Sequence, residues 1–110
     1  MFDEIEKLYK FNEDEWHTKE DIINFIQDND LYDVLINAPA NIREVFGDDI
    51  RLVLELLTDP EEDWTELFIK IKTKYSGKKV VELEDKLFYK WWVTIMDEVW
   101  DKLNFTSEPL

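Results

Sequence analysis

Midway along the chain the hydrophobic period changes from about 3.6 residues to 2, and this change constrains the fold more than any other feature. Up to Gly47 the apolar residues come at helical spacing, as in Ile22, Ile23, Phe25 and Ile26. Beyond it, Ile50, Leu52, Leu54 and Leu56 alternate with Arg51, Val53, Glu55 and Leu57, and Leu67, Ile69, Ile71 and Thr73 alternate with Phe68, Lys70, Lys72 and Lys74. Two strands follow, each with one face turned to a core. The eight residues between them, Thr58 to Thr65, contain Asp59-Pro60-Glu61-Glu62-Asp63, an acidic turn that suits a wide antiparallel hairpin.

The segment before the change reads as a set of short helices. Phe2, Ile5, Leu8 and Tyr9 share one helical face that runs into the polar stretch Asn12 to Glu15. Thr18 and Asp21 form a capping pattern for a helix from Lys19 to Gln27, which Asp28-Asn29-Asp30 ends. Leu31, Val34 and Leu35 begin a further helical turn that Asn37-Ala38-Pro39 is expected to interrupt. Pro39 then starts a last short helix through Ile42, Val45 and Phe46, stopped by Gly47.

After the two strands, Ser76-Gly77 opens a helix whose broad apolar face carries Val80, Val81, Leu83, Leu87 and Phe88. Trp92, Ile95, Val99 and Leu103 continue that stripe, while Tyr89, Val93, Met96 and Trp100 form a second one about a quarter turn away. Two faces require either a kink near Lys90 or one helix held between two layers. Leu103, Phe105 and Ser107 alternate with Asn104, Thr106 and Glu108, which predicts a short third strand ended by Pro109. The expected fold is α+β: short N-terminal helices, then a three-stranded antiparallel sheet packed by one long or kinked C-terminal helical region. Residues 1–110 read as a single domain, with an acidic helical part (1–47) and a part made of sheet and C-terminal helix (48–110).

Charge narrows the function classes. The 110-residue chain has 13 basic and 27 acidic residues, net −14, too negative for a protein that binds nucleic acid by neutralising phosphates. The imbalance is concentrated: residues 1–49 hold 14 acids and 4 bases, residues 50–110 hold 13 acids and 9 bases. Lys70, Lys72, Lys74, Lys78 and Lys79 form one local basic patch, and the molecule should be electrically polarised. The Lys70, Lys72, Lys74 row is expected to solvate the outer face of the sheet and deter edge pairing, or else to dock an acidic surface. With no cysteine, no basic-apolar leader at the start and no uncharged stretch of membrane-span length, the expected setting is cytoplasmic, without a membrane partner.

Strand, Asp59-Pro60-Glu61, the strand Leu67-Phe68-Ile69-Lys70-Ile71, helix, Trp91-Trp92 and the closing Leu103-Asn104-Phe105-Thr106 together resemble a loose group of short prokaryotic proteins of uncharacterised function. The resemblance covers the C-terminal half and implies the order strand, strand, helix, helix, strand. It implies no activity and no catalytic residue. Ser107-Glu108-Pro109 departs from the full-length closing strand of the group.

Residues with chemical potential are few. His17 is the sole histidine, read as an exposed residue near a helix cap, and Ser76 and Ser107 lie in no nucleophile motif. Asp59, Glu61, Glu62 and Asp63 lack the ligand order and glycine of an EF-hand loop, and Gly47 and Gly77 are too few for a phosphate-binding loop. No catalytic, cofactor or metal site is expected. Trp91, Trp92 and Phe88 are assigned to the core, whereas Trp100, Tyr89, Trp16 and Trp64 are less constrained. Tyr89, Val93, Met96 and Trp100 are the candidate partner-binding residues, with Trp100 and Met96 ringed by Asp97, Glu98 and Asp101. The leading expectation is a non-enzymatic interaction module, like an antitoxin, immunity protein or adaptor, that binds a basic partner protein. A nucleic-acid-mimic inhibitor and a homo-oligomeric structural domain, joined through the third strand or the Trp100 face, are the alternatives.

Overall fold

The hairpin expected from the period-2 segment is the centre of the computed structural model, which describes residues 2–110. Strand β2 (Ile50–Asp59) pairs antiparallel with β3 (Trp64–Thr73) from Ile50↔Thr73 to Asp59↔Trp64. The connection is tighter than the sequence suggested, because Asp59 Oδ1 accepts the backbone N–H groups of Glu61 and Glu62, at 3.0 and 3.2 Å. Asp63 closes the turn at φ 54°, a left-handed conformation that aspartate tolerates better than most residues.

The sheet has four strands, in the order β1-β2-β3-β4, and it is mixed. The added strand is β1 (Lys10–Asn12), which runs parallel to β2 with Phe11 opposite Leu54. It lies where a polar stretch was expected to begin, so the acidic N-terminal part contributes to the sheet and is not purely helical. The closing strand β4 (Leu103–Pro109) runs parallel to β3, not antiparallel, and it extends through Ser107-Glu108-Pro109.

Helices cover one face of this sheet. They are α1 (Asp3–Leu8), α2 (Lys19–Asp28), α3 (Tyr32–Phe46) and α4 (Lys78–Lys90). Leu52, Leu54, Leu56, Leu67, Ile69 and Ile71 face them and are buried. Thr18 caps α2 as its spacing predicted: its hydroxyl accepts from the Asp21 N–H, and the Asp21 carboxylate accepts from the Thr18 N–H at 2.8 Å. The hydrogen bonds that this carboxylate accepts from the Thr18 N–H and hydroxyl hold the Asp21 pKa below the usual carboxylate range.

Pro39 lies inside α3, which runs unbroken where two short helices were expected. Proline has no N–H for the carbonyl four residues earlier, here that of Leu35. The buried hydroxyl of Tyr9 donates to that carbonyl instead, at 2.7 Å. This bond also fixes the junction between α1 and β1, where Tyr9 sits.

Beyond Lys90 the helix breaks. Neighbouring positions on an α-helix point about 100° apart, a wide angle for two indoles to share one packing surface. Trp91 leaves helical geometry (φ −133°, ψ −55°), and a 3₁₀ turn over Trp92–Thr94 follows. Both indoles are thereby buried, edge to face at 5.5 Å, and Trp92 meets Phe105 of β4 at 5.0 Å. Of the two arrangements considered for the C-terminal region, the break near Lys90 is adopted, although a 3₁₀ turn and irregular turns follow it in place of a second helix. Irregular turns then reach Asp101, at φ 64°, which launches β4.

Tyr9→Phe should cost roughly 1–3 kcal/mol in urea unfolding, since it leaves a buried carbonyl without a donor. In a Pro39→Ala background the same change should cost less than about 1 kcal/mol, because an alanine at this position returns a backbone N–H to the Leu35 carbonyl. Equal costs in the two backgrounds would refute the exchange of donors. Burial also pushes the Tyr9 pKa far above its ordinary value, against the opposing pull of Arg43. Because the folded-state pKa exceeds the unfolded one, this contribution is intact below about pH 10 and is lost above it, at about 1.4 kcal/mol per pH unit. The alkaline fall in the urea midpoint should therefore be shallower for Tyr9→Phe than for the wild-type chain.

Candidate functional site

Three parts of the surface combine shape with chemistry. The first holds the residues singled out from sequence. Trp100, Val93 and Tyr89 are exposed and Met96 is half-buried. Trp100 and Met96 line a hollow of about 170 Å³ floored by Trp92, Val99 and Leu103, with Glu66 and Asp101 at its edge. Partial burial, reinforced by the Asp101 charge, raises the Glu66 pKa. Tyr89 and Val93 do not line this hollow, and the Tyr89 ring instead packs edge to face on Phe88 at 5.2 Å. The structure thus brings together two of the four candidates.

The second part is the open face of the sheet. Register places Lys10, Val53, Lys70 and Thr106 in one row, and Asn12, Glu55, Phe68 and Asn104 in the next. Lys70 is the hub: its ammonium contacts Glu55 and, at 2.9 Å, Glu108, which also pairs with Lys72 at 3.0 Å. Burial alone lowers the Lys70 pKa, but the hydrogen bonds and charges of the two glutamates outweigh it and hold the pKa above the ordinary lysine value. The same bonds from Lys70 and Lys72 hold Glu108 below the ordinary carboxylate range. Lys10, Arg51, Lys70 and Lys72 surround a hollow of about 270 Å³. The lysine row does lie on the outer face, but β3 is an inner strand, so Lys70 and Lys72 guard no edge. Lys74 lies past the strand and pairs with Asp49 at 3.2 Å.

The third part was not chosen from the sequence. The loop joining β1 to α2 is folded tightly, with Asp14 Oδ1 accepting the N–H groups of Trp16 and His17 at 2.8 and 2.7 Å. His17 is half-buried rather than exposed, and its Nε2 lies 2.9 Å from Thr58 Oγ1. Thr58 Oγ1 is in turn 3.0 Å from Thr65 Oγ1 of β3. Trp16, 77% exposed, stands over a hollow of about 490 Å³ lined also by Leu56, Leu57 and Pro60. An adjoining hollow shares Trp16, His17 and Leu56 and adds Phe25, Asp21 and Asp28. The available signal was a tryptophan directly after Glu13-Asp14-Glu15, where no apolar periodicity calls for one.

The acidic turn at Asp59 commits a carboxylate oxygen to its own backbone, and among the described residues no group of three or more His, Asp or Glu is arranged to hold a metal ion. No described helix is long and apolar enough to cross a membrane. No protein-family model, curated protein or solved structure matches this chain. Its function has to be read from its own surface.

Trp100→Ala should leave stability within about 0.5 kcal/mol of wild type, whereas Trp92→Ala should cost roughly 3–5 kcal/mol. Urea unfolding followed by circular dichroism separates the two, and a Trp100→Ala chain that unfolds would make the second stripe part of the core.

Proposed function

We propose that the protein is a small non-enzymatic interaction module that binds a basic partner protein through its acidic helical part, in the manner of an antitoxin, immunity protein or adaptor. The observation that carries this reading is that all 14 acids of residues 1–49 are exposed. Among the described residues only Glu6, Glu44 and Asp49 of them pair with a cation: Lys19, Lys90 and Lys74. The remaining charge faces solvent, where it speeds encounter with positive surfaces and repels negative ones. A cytoplasmic setting fits the absence of cysteine.

The spacing of the carboxylates weighs against a nucleic-acid mimic. Helix α2 is 10 residues long and carries only Glu20, Asp21 and Asp28. B-DNA presents about nine phosphates over the roughly 15 Å that such a helix spans. The other acids are divided among α1, the β1–α2 loop, α3 and the turns around them.

Affinity capture from native lysate tests the reading. The full chain should retain a basic protein at low salt and release it as ionic strength rises toward about 0.5 M, where charges only a few ångströms apart are screened. Retention of an acidic protein, or a complex indifferent to salt, would overturn it.

A further inference from the structure

The hollow beneath Trp16 lies beside an unfinished edge of the sheet. β2 runs from Ile50 to Asp59, but β1 pairs only with Val53 to Glu55. From Leu56 to Asp59, β2 therefore has β3 on one side and, among the described residues, no strand on the other. Leu56, Leu57 and Thr58 of this stretch line the hollow, and Pro60 of the hairpin turn bounds it. The His17–Thr58 contact ties the Trp16 loop to this stretch of β2.

Two properties define what fits. An unpaired strand edge offers backbone donors and acceptors to an extended segment, while neighbouring apolar side chains make pockets for alternate residues of that segment. Charge supplies the second property. Asp14, Asp21 and Asp28 line the paired hollows, no lysine or arginine does, and the exposed Glu61 and Glu62 follow Pro60 in the turn. The hollow on the open sheet face differs in character, with Lys10, Arg51, Lys70 and Lys72 around it and one carboxylate, Glu108, paired to the last two.

Building on the reading of a basic partner, we propose that this slot receives an extended, lysine- or arginine-rich segment of that partner. The segment pairs as an added strand along Leu56–Asp59. Its apolar residues lie on the exposed Leu57 and Pro60, and a cationic side chain lies over the Trp16 ring, the aromatic that attracts cations most strongly.

The test uses the ¹⁵N-labelled full chain and two eight-residue peptides of equal charge, one alternating lysine with valine and one alternating lysine with proline. Proline cannot supply the N–H groups of a ladder, so only the first peptide can complete the edge. The valine peptide should shift the amides of Leu56–Asp59 and the Trp16 indole N–H, bind at least about tenfold more tightly than the proline peptide, and lose about tenfold on Trp16→Ala. Circular dichroism should show that Trp16→Ala, at so exposed a position, keeps the wild-type fold. Equal binding of both peptides, with shifts spread over all the acidic helices, would overturn the slot and leave the basic-partner reading standing. No binding of either peptide at low salt would overturn both. A concentration-dependent dimer abolished by Trp16→Ala would assign the edge to a second copy of the chain and overturn the proposal.

Discussion

The phenolic hydrogen bond from Tyr9 to the Leu35 carbonyl holds together parts of the molecule that nothing nearby in sequence would join. Pro39 leaves a hole in the hydrogen bonding of α3, on the same buried face that carries the core residues Leu35, Ala38 and Ile42. Filling that hole from Tyr9 keeps α3 continuous and places the chain so that Lys10–Asn12 meets β2. The edge of the sheet, and with it the length of β2 that stays unpaired, follows from where this one hydroxyl is anchored. Because the bond is buried, it resists exchange with water, and the phenol remains protonated over the whole neutral range.

Periodicity in the sequence identified the hairpin, the capped α2 and the core role of Trp91 and Trp92, because each depends on local spacing that burial then enforces. It could not reveal β1, since Lys10-Phe11-Asn12 is too short to establish an alternation and becomes a strand only when β2 lies beside it. Nor does alternation fix strand direction. The run from Leu103 shows which side chains face inward, but its parallel course follows from the break at Trp91, which leaves only one full helix to carry the chain back along the sheet. Pro39 misled for a related reason: the donor that compensates for it is 30 positions away, beyond any local pattern.

The candidate surfaces divide in the same way. Trp100 and Met96 do meet, in the irregular turns after the 3₁₀ segment, but Tyr89 and Val93 part from them because the helix on which all four were aligned does not continue. The Trp16 hollow is assembled from a loop, the end of one strand and a turn, so no single window of sequence contains it. The open face shows the cost of reading charges singly. Lys70 looks like free positive charge along the chain, yet Glu55 and Glu108, from the strands on either side, neutralise it. Cations held in this way leave the net charge of the molecule to be expressed on its helical side.

The unequal spans of the strand connections also order events in time. β2 and β3 are closed by the short turn at Pro60–Asp63, whereas β3 and β4 are joined across residues 74–102 and β1 and β2 across residues 13–49. Ring closure becomes costlier with each longer span, and contacts distant in sequence form slowly, so the hairpin is the piece from which the sheet grows and β1 is its last addition. A strand of three residues that arrives last is also the first to leave. In hydrogen exchange the N-terminal edge should behave as a separate, weaker unit, opening while the hairpin and the two buried indoles stay closed.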